Sequence, residues 1–198
     1  GVRLYAAHQP QKPPEDVAAV LDQLVDVLVM KYAPLPQPGL RQLVAMLRHA
    51  VPQWQGQLRG ALQRAMQRLP NAEVDSVRWF WPVDEDPAAR RWKAPDRVRL
   101  LAPFDPVVWD RGRFEHLWGW AYRFEAYTPP AKRVRGYYAL PLLWRDAVIG
   151  WGNLSVVDGR LRAEIGYVSG QAPKETDYRA ALDAELADVA GFLEIRQS

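Results

Sequence analysis

Cysteine is absent from the 198 residues, which excludes disulfides, thiolate metal sites and a cysteine nucleophile. Histidine is scarce and scattered, at His8, His49 and His116, so no zinc-binding set is visible and no cofactor is expected. No apolar run approaches the roughly 18–20 residues that cross a bilayer, and the start is not signal-like. The chain therefore reads as cytoplasmic, with no membrane partner. A large excess of one charge is also missing. The net charge is +3 with a pI near 9.3, a mild lean toward acidic partners that leaves any nucleic-acid role to local charge distribution. Methionine is rare and does not open the chain; the first is Met30. The chain is expected to be a piece of a longer protein, with Gly1–Tyr5 closing a truncated strand pair.

What is present is the material of a globular fold. Hydrophobic residues make up 48% and charged residues 25%, a balance that can bury a core. The stretch from Leu100 to Leu143 organises the rest. Its first block, Leu-Leu-Ala-Pro-Phe-Asp-Pro-Val-Val-Trp-Asp-Arg, is apolar and pinned by Pro103 and Pro106, and is expected to be extended rather than helical. From Tyr122 the pattern alternates: Tyr122, Phe124 and Ala126 fall on one face, Arg123, Glu125 and Tyr127 on the other. Tyr138, Leu140 and Leu142 repeat that period on the return. Between them, Thr128 to Gly136 reads as a hairpin tip with three cations, Lys132, Arg133 and Arg135, and with Tyr137 and Tyr138 at its base. Such a projection suits a phosphate backbone.

These residues resemble a known family. Pro103-Phe-Asp-Pro-Val-Val-Trp-Asp-Arg111, Tyr127-Thr-Pro-Pro-Ala-Lys-Arg133 and Gly136-Tyr-Tyr-Ala-Leu-Pro-Leu-Leu143 are similar to the signature of the bacterial winged-helix DNA glycosylases, the YcaQ/AlkZ group. That family excises bulky alkylated bases and unhooks interstrand crosslinks. The resemblance is specific over residues 100–143 and looser over 1–99 and 175–198. It implies DNA repair on double-stranded DNA, and it makes Asp105, Trp109, Asp110 and Arg111 signature residues of a cleft. It also implies that Lys132 and Arg133, backed by Tyr137 and Tyr138, belong to a hairpin that reaches toward the duplex. In the family the catalytic residues form a Gln–apolar–Asp or Gln–apolar–Gln triplet in the first winged helix. The Gln-x-Gln triplets here, Gln9-Pro-Gln11, Gln53-Trp-Gln55 and Gln55-Gly-Gln57, do not sit in that context, so no catalytic residue is expected in this chain. One departure concerns the strand after Val148-Ile-Gly150. The family usually places charged residues at alternate positions there, where this chain has Trp151, Asn153 and Ser155.

The remaining elements follow from periodicity. Residues 1–15 read as the end of a preceding wing and a proline-stiffened linker. Glu15 and Asp16 suit a helix start, and Val17, Val20, Leu21, Leu24, Val25, Leu28, Val29 and Tyr32 follow at offsets of three and four. A second helix carries Leu40, Leu43, Val44 and Leu47. A third carries Leu58, Ala61, Leu62, Ala65, Met66 and Leu69, with Arg64 and Arg68 on an outer face among Gln57, Gln63 and Gln67. Three helices and then strands between Val74 and Trp81 is the order of a winged helix-turn-helix, spanning 16–97; its third helix reads either as facing a DNA groove or, with its Arg and Gln, as a solvated face. Residues 84–97 read as a surface loop, with Trp92 as the residue expected to order it. From 98 to 198 the pattern is short strands, with a short helix read from Arg113 to Trp120, where Phe114, Leu117 and Trp118 fall at helical spacing, and a two-residue turn at Asp158-Gly159. A last helix places Tyr178, Leu182, Leu186, Val189 and Leu193 inward. The expected class is α+β: a winged helix-turn-helix, then a small antiparallel β-barrel or curled sheet with a C-terminal helix.

Several charged residues are open to two readings. A glycosylase needs a carboxylate or amide to stabilise a cationic sugar, which makes Asp105 and Asp110 candidates by type. Asp105 before Pro106 is equally a turn former, and Asp110-Arg111 equally a structural ion pair. At the level of function, the chain reads as the DNA-binding part of a monomeric glycosylase whose catalytic module lies upstream. The alternative is a non-enzymatic winged-helix DNA-binding or regulatory module. A third reading makes the barrel a small-ligand pocket lined by some of the nine tryptophans.

Overall fold

The computed structural model describes residues 15–197, so the strand expected at Gly1–Tyr5, most of the linker and the Gln9-Pro-Gln11 triplet lie outside the described residues. The chain divides into two compact units, the first ending at Glu85 and the second beginning at Asp86. Both combine helices with sheet, and the class is α+β as expected.

The first unit opens with α1 (Val17–Tyr32). The Asp16 side chain caps it by accepting the Ala19 N–H at 2.9 Å. Leu21, Val25 and Val29, one turn apart, are fully buried. A two-residue strand, β1 (Leu35–Pro36), leads into α2 (Gln37–Ala50). That helix starts ahead of Leu40 because Pro38 fits its first turn, where a missing N–H costs nothing. Pro52 then forces a 3₁₀ turn over Pro52–Gln57 before α3 (Leu58–Arg68). The alternating stretch from Val74 proves to be part of two strands, β2 (Asn71–Val74) and β3 (Val77–Phe80). They reverse at Asp75-Ser76, both left-handed at φ 50° and 59°, as in a tight two-residue hairpin turn. The sheet order is β1-β3-β2.

The second unit is built on a five-stranded, curled half-barrel in the order β4 (Val98–Leu100), β5 (Leu140–Trp144), β6 (Ala147–Val157), β7 (Arg160–Tyr167), β8 (Arg196–Gln197). Only the β7–β8 pair is parallel. Asp158-Gly159 makes the predicted turn, with φ 51° and 71°. Where β6 crosses β7 the strands approach so closely that a Cβ on Gly150 would lie 2.1 Å from the Gly166 carbonyl oxygen. Two short helices, α4 (Pro106–Trp109) and α5 (Arg111–Trp118), precede β5. The last helix, α6 (Thr176–Phe192), lays Tyr178 and Leu182 against Val98, Leu142 and Trp144 as its spacing predicts. Leu193 corrects that pattern. It falls past the helix end and is 44% exposed.

The boundary between units also falls earlier than the expected one at Arg97. The segment before β4 is fastened to the second unit: Arg145 pairs with Asp96 at 2.6 Å and donates its N–H to the Arg97 carbonyl. Trp92 does order the charged loop, donating its indole N–H to the Asp86 carbonyl at 2.7 Å.

β4 is an edge strand, and an edge leaves backbone N–H groups without a sheet partner. Glu185 of α6 meets that need. Its buried carboxylate accepts the Leu100 N–H at 2.8 Å and the Arg99 guanidinium at 2.6 Å. Removing it strands the Leu100 N–H and takes the closest partner from Arg99, so Glu185→Ala is expected to destabilise the protein by about 1–3 kcal/mol in urea unfolding. Glu185→Gln, which keeps an acceptor for Leu100, should recover part of that. A loss under about 0.5 kcal/mol for the alanine variant would mean that apolar contacts alone dock the helix.

Candidate nucleic-acid interface

The leg from Leu100 to Arg111 turns helical at Pro106, contrary to the reading of its prolines, while the short helix expected from Arg113 to Trp120 is α5. The Asp105 side chain accepts the Val107 N–H at 2.8 Å and places Pro106 in the first turn of α4. The Asp110 side chain accepts the Arg113 N–H at 3.0 Å and starts α5. A proline behind a capping aspartate begins a helix rather than preventing one. Asp105 and Asp110 are therefore helix caps. Nor do Asp110 and Arg111 form the expected ion pair. Arg111 donates to the carbonyls of Val108 at 2.7 Å and Pro103 at 2.8 Å, and lies 4.5 Å over the Tyr122 ring. Burial pulls its pKa below the ordinary guanidinium value. Trp109 is half-buried in α4.

Beneath this leg sits an aromatic core of Phe114, Trp120 and Tyr122 with Val108 and Val148. Its polar atoms are matched. Trp120 donates to the Val148 carbonyl at 2.9 Å, and the Tyr122 hydroxyl donates to the Ala139 carbonyl at 2.7 Å. Burial pushes the Tyr122 hydroxyl up to about 12, so it remains a donor at neutral pH.

From Arg123 to Ala139 the expected hairpin does not form. No ladder pairs the two legs; the segment is an irregular loop with a 3₁₀ turn at Pro130–Lys132. The reason lies in who supplies acceptors. Pro129 and Pro130 have no N–H to give a partner strand. Across the loop, the N–H groups of Val134, Arg135 and Gly136 all point at one carboxylate, Glu125, at 3.0, 2.7 and 3.2 Å. Glu125 is only 6% exposed. Burial drives its pKa up, but the three amide hydrogen bonds outweigh that and hold it below the ordinary glutamate value. The loop is then tied to β6: Asn153 donates its side-chain N–H to the Arg135 carbonyl at 2.7 Å. At this crossing Gly136 has φ 127°, and a Cβ there would lie 2.4 Å from the Asn153 side-chain oxygen.

This frame distributes the predicted site residues unevenly. Lys132 is exposed. Arg133 is half-buried, donating to the Thr128 carbonyl at 2.9 Å and lying 4.9 Å over the Tyr137 ring. Neither turns back onto a carboxylate. Arg135 goes inward, 4.9 Å from the Trp120 ring and 5.4 Å from that of Trp151, and its buried Nε has no hydrogen-bond partner. Trp151 thus belongs partly to the loop's support. Tyr137 and Tyr138 are substantially exposed. Three further rings join them that charge-based reading passed over. Phe124 sits at the centre, edge-on to Phe104 at 5.6 Å, Tyr127 at 6.2 Å and Tyr138 at 5.0 Å. Tyr127 is 92% exposed. Alternation did place Phe124 and Tyr127, but nothing in it told that both would surround one surface.

In the first unit, Arg64 and Arg68 are not free cations on an outer face, although Arg68 is exposed. Arg64 forks onto Asp22 of α1 at 2.8 and 2.9 Å, and Arg68 pairs with Asp26 at 2.5 Å. One turn apart on both helices, the two pairs zip α3 to α1. The outward residues of α3 are instead Arg59, Gln63 and Gln67. Among the described residues no group of acidic or histidine side chains is arranged to hold a metal, and no helix is long and apolar enough to cross a membrane.

Exposed rings interleaved with cations, on a rigidly tied loop, form the surface chemistry of proteins that handle nucleic acid. The family model of the AlkZ-like DNA glycosylases matches residues 2–192, and the chain belongs to that family. Its membership brings DNA repair and DNA binding with it. No solved structure matches the chain.

Because the pKa of Glu125 is lower in the folded state than in the unfolded chain, its contribution to stability is complete above the unfolded value, about 4.3. It is lost as the pH falls through the lower folded value. The loop is therefore expected to loosen in acid and not in alkali. Glu125→Gln replaces one acceptor oxygen with a donor that faces backbone N–H groups. It should cost about 2–3 kcal/mol and speed amide exchange at Val134, Arg135 and Gly136 at neutral pH. Unchanged exchange at those three amides would show that the prolines alone shape the loop.

Proposed function

We propose that the chain grips double-stranded DNA for a repair glycosylase, as a cytoplasmic monomer, while residues outside it excise the base. The observation that carries this is the Glu125-pinned loop, which holds Lys132 and Arg133 beside exposed Tyr127, Tyr137 and Tyr138. The first unit supports the reading as a winged helix, since its elements run α1-β1-α2-α3-β2-β3. In that role α3 would offer Arg59, Gln63 and Gln67 to a groove, while Arg64 and Arg68 brace it from behind. The β2–β3 tip carries Glu73 and Asp75, which repel phosphate, so the second unit supplies the stronger backbone contact.

Base excision is assigned elsewhere because, among the described residues, the candidate side chains serve other roles. Asp105 and Asp110 are committed to helix caps and Glu125 to backbone amides. Gln53, Gln55 and Gln57 lie exposed on a 3₁₀ turn. The same observations favour a second reading, a DNA-binding module without glycosylase activity. Abasic-site formation on alkylated DNA, by a protein that contains this chain, separates the two.

Lys132→Ala is expected to weaken duplex binding several-fold at low salt and leave the circular dichroism spectrum unchanged. Adding Arg133→Ala should lower the slope of log affinity against log salt by about two in total, one per phosphate contact. A slope unaltered by both would remove the loop from the DNA interface.

A further inference from the structure

A pocket of about 350 Å³ opens between the loop and the β6–β7 face, lined by Gly136, Tyr137, Tyr138, Asn153, Ser155 and Glu164. We propose that this pocket receives one unpaired base of the bound DNA; the proposal rests on the DNA-binding reading above and deepens it.

Three features of the lining specify a base. First, its aromatic wall is already solvent-facing: Tyr137 and Tyr138 are exposed, and Tyr138 is backed edge-on by Phe124, which fixes one side of it. A stationary exposed ring is a stacking platform for any base, and a paired base inside a duplex offers no face to it. Second, the opposite wall is polar. Asn153 and Glu164 are cross-strand partners, as are Ser155 and Arg162, so four hydrogen-bonding side chains share one face of the β6–β7 pair. The Asn153 amide N–H is committed to the Arg135 carbonyl, which leaves its oxygen as the acceptor. Third, the charges are divided. Arg135 also borders the pocket, but its guanidinium is held over Trp120 and Trp151. Glu164 in the lining repels a phosphate but accepts from an exocyclic amino group, while Arg162 at the next register position can meet a phosphate outside. The base enters and its phosphate stays at the rim.

Asn153 and Ser155 are neutral, and their short side chains leave the volume open.

The test compares two labelled duplexes of identical sequence by fluorescence anisotropy with the full 198-residue chain, one fully paired and one with a single bulged cytosine. The wild-type chain is expected to bind the bulged duplex about tenfold more tightly, the low end of what stacking one base contributes. Ser155→Trp fills the pocket from an exposed strand position and should abolish that preference without altering affinity for the paired duplex. Tyr138→Leu should reduce the preference, and Lys132→Ala should weaken both duplexes equally. Equal wild-type binding of the two duplexes overturns the pocket while the DNA-binding reading stands. So does a bulge preference that survives Ser155→Trp in a protein of unchanged circular dichroism. If the wild-type chain binds neither duplex, the DNA-binding reading fails and the pocket with it.

Discussion

A single buried carboxylate determines the form of the surface that matters. Glu125 is withdrawn from water and accepts three consecutive backbone N–H groups from the far side of a loop. Burying an ion is unfavourable unless it is paired or fully hydrogen-bonded, and here the amides supply the bonds. The same bonds satisfy donors that would otherwise need a partner strand or water. The consequence is a loop with no secondary-structure ladder that is nonetheless fixed. Everything carried by it inherits that rigidity: Arg133 over Tyr137, Tyr138 against Phe124, and the Arg135 carbonyl clamped by Asn153. Rings held in place lose little entropy when something stacks on them.

How far the sequence disclosed this can be judged residue by residue. Helices were legible where apolar spacing was long and regular, as in Leu21, Val25 and Val29, or Leu40, Leu43, Val44 and Leu47. The Asp158-Gly159 turn and the α6 contacts of Tyr178 and Leu182 were legible for the same reason: each is a local rule with little competition. The prolines misled. Pro106 signalled extension, yet its place behind a capping aspartate starts a helix. The alternation through Tyr122, Phe124 and Ala126 is real, but period two describes which side a residue faces, not whether a partner strand exists. Pro129 and Pro130 removed donors that such a partner would need. That Glu125 would collect the opposite amides is a tertiary fact, and no window of local sequence contains it.

Charge was the other misleading guide. Arg64 and Arg68 looked like a groove-facing pair because they lie one turn apart. Asp22 and Asp26 lie one turn apart as well, and the two pairs close on each other. Arg135, counted with Lys132 and Arg133, is instead held against Trp120 and Trp151. Of the five cations singled out beforehand, Lys132 and Arg68 are exposed, but Arg68 is paired with Asp26, and Arg133 is half-buried beside Lys132. A modest net charge of +3 is consistent with so much basic character being used internally.

That economy bears on what kind of contact the second unit can make. A protein that holds DNA by backbone charge alone needs many free cations, since each neutralised phosphate adds one increment to affinity. Here few are free on the loop, and the conspicuous exposed area is aromatic: Phe104, Tyr127, Tyr137 and Tyr138. Burying such rings in a core would have been the cheaper use of them, and a monomer keeps few exposed together without a partner for them. Phosphate contacts position a protein, whereas ring faces engage bases that have left the stack. On the proposed DNA-binding reading, the balance of the surface therefore favours recognising where a duplex has opened over holding a regular one, and that is where repair of a base begins.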